Sequence, residues 1–103
     1  MFLLKIIDVI IESFSSEKNN EFIDEKINRV IIGNSPIIPD MYKLAPAIAN
    51  LNSNMKIVKI FNYSCIIKYN NVYCWITYYR TNENLIDYVI TGYLSIDEIM
   101  KEM

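Results

Sequence analysis

Two runs of β-branched and aromatic residues meet at the pair Asn70-Asn71, and this arrangement constrains the fold more than any other part of the chain. A two-residue turn of this composition joins the antiparallel strands of a β-hairpin. Placing the turn there pairs Tyr69 with Val72, and further same-face pairs follow at intervals of two residues. The sequence therefore predicts a hairpin across residues 63–80. Its next pairs are Ile67 with Cys74 and Cys65 with Ile76.

A second turn at residues 82–84, with Asn84 in a left-handed conformation, extends this register to a third strand. The extended register separates two faces of a sheet, because side chains alternate along each strand. One face, called the core face, would carry Cys65, Ile67, Tyr69, Val72, Cys74, Ile76, Tyr78, Tyr88 and Ile90. The opposite face, called the outer face, would carry Ser64, Ile66, Lys68, Tyr73, Trp75, Thr77, Tyr79, Asp87 and Val89.

Cys65 and Cys74 fall on the core face as diagonal neighbours and not as a directly opposed pair. Diagonal Cα atoms lie about 7–8 Å apart, which is longer than a disulfide normally spans. We therefore expect two buried free thiols.

Apolar residues at helical spacing dominate the N-terminal half of the chain. Residues 2–16 predict an amphipathic helix, and residues 21–32 predict a second one that begins after Asn20 and ends at Gly33. The spacing in residues 34–52 favours a kinked or broken helix, while three prolines leave a rigid binding loop as the alternative. The expected apolar stripes are Leu3, Leu4, Ile7, Ile10, Ile11 and Phe14 for the first helix, and Ile37, Met41, Leu44, Ile48 and Leu51 for the third segment.

From Met55 onward the apolar spacing becomes that of strands, which are expected at about 56–61, 63–69, 72–80 and 86–93. The first two are either separate strands or one bent strand interrupted near Asn62. The run Ser95–Glu98 is a capping box that predicts a short helix to about Glu102. The sequence thus predicts a single α+β domain over residues 1–103. In it, N-terminal helices (about 1–54) pack on one face of a 3–4-stranded antiparallel meander (about 55–94), followed by a short C-terminal helix (about 95–102).

Several classes of functional site need residues that this chain does not supply. With no histidine, two cysteines and two glycines, we expect no catalytic site, no metal, no cofactor and no glycine-rich phosphate loop. A net charge of −2 argues against binding to nucleic acid, which needs a basic stripe. No stretch reaches the roughly 18 apolar residues of a membrane helix, and the N-terminus has no basic leading region. These features predict a cytoplasmic protein without a membrane partner, and the abundance of isoleucine and asparagine is typical of an AT-rich genome.

The outer face is the candidate for partner binding, because tyrosine and tryptophan are enriched in protein interfaces. Two other interpretations remain open: a third layer of the protein, such as the C-terminal helix or the segment Pro36–Pro46, covers this face, or a second copy of the chain binds there. Four acidic residues in the helical half are candidates for steering a basic partner. The candidate contact residues are Tyr73, Trp75, Tyr79, Lys68, Thr77 and Asp87, and the candidate steering residues are Glu17, Glu21, Asp24 and Glu25.

Small size, mild acidity and a concentrated aromatic face favour a non-catalytic inhibitor that acts by binding another protein. The leading hypothesis is an immunity protein that neutralises a bacterial toxin, such as a basic toxin or nuclease. One alternative is a phage-encoded inhibitor of a host defence enzyme, similar in role to an anti-CRISPR protein. Another is a small ligand-binding or regulatory domain with an internal cavity lined by Tyr69, Tyr78 and Tyr88.

Overall fold

The computed structural model describes residues 2–14, 27–35, 40–82 and 85–103 of the chain. The elements in chain order are α1 (Phe2–Ser13), β1 (Ile27–Ser35), α2 (Met41–Leu51), β2 (Met55–Ile60), β3 (Cys65–Tyr69), β4 (Val72–Asn82), β5 (Leu85–Tyr93) and α3 (Ile96–Glu102). These elements are helices and the strands of one antiparallel sheet, which confirms the predicted α+β class. Among the described residues, no helix is both long enough and apolar enough to cross a membrane.

The strands of the described residues form one sheet in the order β1-β5-β4-β3-β2. The last four are consecutive antiparallel neighbours, so the predicted meander is confirmed. The register is also as predicted: Tyr69 lies opposite Val72, and Cys65 lies opposite Ile76. Asn70 has a φ of 55°, the left-handed conformation that a tight asparagine turn uses. β2 and β3 form a hairpin of their own, so the interpretation as one bent strand is wrong.

The prediction of a helix over residues 21–32 is wrong for its second half, because Ile27–Ser35 is strand β1. β1 lies antiparallel to β5, with Ile31 opposite Val89 and Val30 opposite Ile90. The run Val30-Ile31-Ile32 is β-branched throughout, and such residues favour a strand once a neighbouring strand offers a ladder. Gly33 consequently lies inside a strand and does not end a helix. The predicted cap Asn20 and the residues up to 26 lie outside the described part of the chain, as does Asn84.

Both α1 and α2 pack on the core face, as predicted. Their buried residues form one cluster with the core-face side chains of the sheet, and Tyr78 packs partly buried against it. The helical members of this cluster are Ile6, Ile7, Ile10, Phe14, Met41, Ala45 and Ile48. Two members of the predicted stripes are instead exposed, Leu4 by 48% and Leu51 by 54%, because each lies near a helix end. Ile37 lies outside the described residues.

The proline-containing segment is a helix from Met41 to Leu51 with Pro46 inside it. For these residues the predicted helix is confirmed, and the alternative of a rigid binding loop is wrong. Its N-cap is Asp40, whose carboxylate accepts a hydrogen bond from the backbone N–H of Tyr42 at 3.0 Å. Such a cap satisfies one of the otherwise unpaired N–H groups of the first turn. The cap therefore fixes where α2 begins, and Met41, Ala45 and Ile48 then recur on the buried side.

Candidate functional site

The six candidate contact residues all belong to the outer face, as the register requires. Lys68 lies opposite Tyr73, and Ile66 lies opposite Trp75. On the other side of β4, Thr77 lies opposite Val89 and Tyr79 opposite Asp87. The structure therefore brings these residues onto one continuous surface of β3, β4 and β5.

Helix α3 covers one end of this surface, so the interpretation of the outer face as partly a second core is correct for that end. Its residues Ile96 and Ile99 pack on the sheet as part of a second apolar group, called the outer cluster. The outer cluster consists of buried Ile66, Tyr93 and Ile99 together with partly buried Val58, Phe61, Tyr73, Trp75 and Ile96. Tyr73 and Trp75 are thus only half-exposed contact candidates.

One hydrogen bond caps the start of α3, and another joins the end of the helix to β5. At its start, the hydroxyl of Ser95 accepts a hydrogen bond from the backbone N–H of Glu98 at 3.4 Å, which confirms the predicted capping site. At its end, the hydroxyl of Tyr93 donates to the carboxylate of Glu102. The helix has only seven residues, and a helix this short is not stable in water without tertiary contacts. Its position over the outer cluster therefore depends on the packing of Ile96 and Ile99 and on the hydrogen bond between Tyr93 and Glu102.

Trp75 lies at the centre of the covered end. Its ring is tilted by 53° against that of Tyr93, with the ring centres 6.4 Å apart, a separation within the range of favourable aromatic pairs. Its indole Nε1 is buried and has no hydrogen-bond acceptor among the described residues. A buried donor without an acceptor costs about 1–3 kcal/mol. Packing of the indole ring in the outer cluster therefore offsets the free-energy cost of burying its N–H group without an acceptor.

The other end of the outer face lies beyond α3, and Tyr79 is its main exposed aromatic residue. The Tyr79 side chain is 52% exposed. Beside it, Thr77 and Asp87 are half-buried, and the Thr77 hydroxyl donates to the backbone carbonyl of Val89 at 3.3 Å. Val89 itself is buried. This end therefore presents an aromatic ring, a hydroxyl and a carboxylate on a rigid strand pair.

Lys68 is half-buried, and its ammonium lies 5.3 Å from the centre of the Tyr73 ring. An ammonium within about 6 Å of an aromatic face is attracted by the ring quadrupole. The cation thus lies beside the outer cluster, on strand β3 of the β2–β3 hairpin.

Three titratable groups of the core face, Cys65, Cys74 and Tyr88, have a raised pKa. Cys65 and Cys74 are buried free thiols, as predicted. Burial raises the pKa of Cys65 to about 12, and burial together with the charge of Cys65 raises the pKa of Cys74 further. Burial, followed by the charge of Tyr78, raises the pKa of Tyr88 to about 12. These groups are inert as nucleophiles near neutral pH, because a thiolate or phenolate is needed for reaction.

The steering candidates Glu17, Glu21, Asp24 and Glu25 lie outside the described residues. The rings of Tyr69, Tyr78 and Tyr88, predicted to line a cavity, pack in or against the core cluster. Within the described part of the chain, no group of three or more cysteine, aspartate or glutamate side chains is arranged to hold a metal ion.

The contribution of β2 to the outer face was not predicted, whereas the C-terminal helix was one of the two segments named as a third layer. Val58 and Phe61 join the outer cluster from the far edge of the sheet, and Tyr93 joins it from the end of β5. Ile96 and Ile99 are three residues apart, which places them on one side of a helix. That spacing in the C-terminal run was the available signal that α3 would cover part of the sheet.

The chain matches no protein-family model, and searches of the curated proteins and of the solved structures return no significant similarity.

Proposed function

We propose that this protein is a small inhibitor that binds another protein directly, and specifically an immunity protein that neutralises a bacterial toxin. The observation that carries the proposal is the exposed end of the outer face, where Tyr79 is 52% exposed beside Thr77 and Asp87.

The chemistry of this end suits contact with a protein. Tyrosine offers a large and stiff ring with a polar hydroxyl, and it is among the residues that dominate binding energy in interfaces. A hydroxyl and a carboxylate within the same strand pair add directional contacts around the ring. Since β4 and β5 pair without interruption from Tyr73 through Arg80, the strand pair that carries Tyr79 is formed before the partner arrives, which lowers the entropic cost of association.

Tyr79→Ala tests the proposal against a matched control. The candidate partner is the product of the neighbouring gene, co-expressed with this chain and captured with it. Tyr79→Ala should weaken the complex by about 2 kcal/mol or more, because the ring is an interface anchor. Tyr42→Ala is the control, since Tyr42 is 56% exposed on α2, on the other side of the sheet. Calorimetry or surface plasmon resonance measures both affinities.

The proposal fails if the neighbouring product is not retained, or if both tyrosine variants bind as the unchanged protein does. Retention of a toxin whose activity is abolished in the complex supports the immunity function. Retention of a host defence enzyme instead supports the phage-inhibitor alternative. Self-association that is lost in Tyr79→Ala indicates the homodimer alternative, and sedimentation detects it in the absence of any partner.

A further inference from the structure

From Met41 to Asn82 the chain carries five basic residues and no acidic one, although its net charge is −2. This segment contains α2, β2, β3 and β4. Three of its basic residues, Lys56, Lys59 and Lys68, belong to the hairpin of β2 and β3. Within this segment of the sequence, positive charge is therefore concentrated in the hairpin at the β2 edge of the sheet.

A bulge in β2 gathers these three lysines on one face. Lys56 lies opposite Lys68, and after a register shift Lys59 lies opposite Ile66. In a regular strand, residues three apart point to opposite faces. Here the shift places Lys59 on the outer face with Lys56, and bulges at sheet edges commonly re-aim a side chain in this way.

The gathered lysines repel one another in the isolated protein. Lys56 and Lys68 are directly opposed, an arrangement of like charges that destabilises a strand pair. Within the described residues, Lys59 and Lys68 each contact an aromatic ring. The Lys59 ammonium lies 5.3 Å from the centre of the Phe61 ring, and the Lys68 ammonium lies 5.3 Å from the centre of the Tyr73 ring. A carboxylate supplied from outside would relieve this repulsion.

β2 is also the end strand of the sheet, and no further strand lies beside it among the described residues. An edge strand presents backbone N–H and C=O groups that can pair with another chain. Charge and a bulge on an edge discourage pairing with most strands. Because the charge here is positive, an incoming strand with negative charge is favoured over the others. Ile57, 40% exposed within the same strand, adds apolar contact area.

We propose that the β2 edge, with Lys56, Lys59 and Lys68, is the docking site for an acidic, extended segment of the protein partner. This inference rests on the proposed function, because it assumes that the partner is a protein. The segment adds as a further strand along β2, and its carboxylates bind the three ammonium groups on the outer face. The lysines favour acidic segments over neutral ones. The backbone hydrogen bonds along β2 contribute affinity that does not depend on the sequence of the segment.

A synthetic peptide tests this site without knowledge of the partner. The probe is a peptide of about ten residues, long enough to span β2, that alternates glutamate with valine or threonine; the comparison peptide has glutamine in place of glutamate. The acidic peptide should bind, should lose affinity as salt is raised, and should slow hydrogen exchange of amides within Met55–Ile60. The glutamine peptide should bind at least about tenfold more weakly.

Paired charge variants distinguish this edge from the net charge of the molecule. Lys56→Gln/Lys59→Gln should weaken binding of the acidic peptide about tenfold. Lys43→Gln/Lys101→Gln removes the same charge from exposed positions on α2 and α3 and should leave binding within about twofold. Equal losses in the two variants, or binding without protection of the β2 amides, would overturn the proposal. Tighter binding of a thymidine oligonucleotide at the same amides would also overturn it, in favour of a nucleic-acid site.

The outcome separates this inference from the proposed function. If a protein partner is retained through Tyr79 while the acidic peptide does not bind, only the β2 site is rejected. If the peptide binds as expected and no protein partner is captured, the inhibitor function is rejected while the β2 site remains an acidic-segment site.

Discussion

The two faces of this sheet are built from the same strands, yet they differ in what covers them. The core face meets two helices, α1 and α2, and its side chains are apolar and almost wholly buried. The outer face meets α3, a seven-residue helix at one end, and beyond it carries half-buried polar groups and the exposed ring of Tyr79. Alternation along a strand therefore assigns each residue to a face, while the amount of helix on that face decides whether the residue is structural or accessible.

The difference is clearest where neighbours along β4 point in opposite directions. Cys74 and Ile76 have no exposed surface, whereas Trp75 and Thr77 between and beside them are half-buried. Burial of a large aliphatic side chain contributes about 1.5–3 kcal/mol. Stability should consequently depend on the core face much more than on the outer face.

Ile76→Ala and Thr77→Ala test this asymmetry with adjacent residues. Ile76→Ala should lower the free energy of unfolding by about 2–5 kcal/mol, because it leaves a cavity in a closed core. Thr77→Ala removes a hydrogen bond to the Val89 carbonyl from a half-buried position and should cost about 1 kcal/mol or less. Chemical denaturation monitored by circular dichroism measures both. Similar losses would mean that the two faces are equally structural.

Gly92 is a point on the core face where neighbouring side chains lie very close to a strand backbone. A Cβ atom built there would lie 2.5 Å from Cε1 of Phe14, 2.8 Å from its Cδ1 and 3.0 Å from Cγ1 of Val72. Phe14 is fully buried just after the end of α1, so its ring cannot move into solvent. A glycine in a strand interior often marks such a close approach.

Gly92→Ala should therefore lower the free energy of unfolding by about 1–3 kcal/mol through overpacking. Phe14→Leu removes ring atoms from the point of collision, so Gly92→Ala should cost less in that background. The two changes should show a coupling of at least about 0.5 kcal/mol in a double-mutant cycle. Full additivity would contradict the contact between ring and strand.

Much of the fold was predictable because the C-terminal half follows a simple rule of alternation. The Asn70-Asn71 turn set the register, and the register fixed which residues share a face through Ile90. The β1 error has a physical cause in Val30, Ile31 and Ile32, whose apolar run suits a buried helix or a strand equally well by spacing alone. Their strand conformation depends on pairing with β5, which is a contact between residues distant in sequence.

The candidate site was predictable only in part. Register alone placed Tyr73, Trp75 and Tyr79 on the outer face, but it carried no information on where α3 would fold back. The β2 bulge was not predictable either, because the spacing of Lys56 and Lys59 assigns them to opposite faces of a regular strand. Tertiary packing and one local irregularity therefore decide which residues of the surface are available.

Ser95→Ala should have the smallest effect and should act on the outer face alone. Loss of the hydroxyl that caps α3 should cost about 1 kcal/mol, enough to favour detachment of a seven-residue helix held by few contacts. Ser95→Asp is the control, because aspartate caps equally well and its charge suits the start of a helix.

Trp75, the single tryptophan of the chain, reports detachment because it packs in the outer cluster beneath α3. In Ser95→Ala its emission should shift to the red at denaturant concentrations below the transition seen by circular dichroism, and in Ser95→Asp the two transitions should coincide. Coincident transitions in both variants would mean that α3 unfolds only together with the core face, and the two faces would then be one cooperative unit.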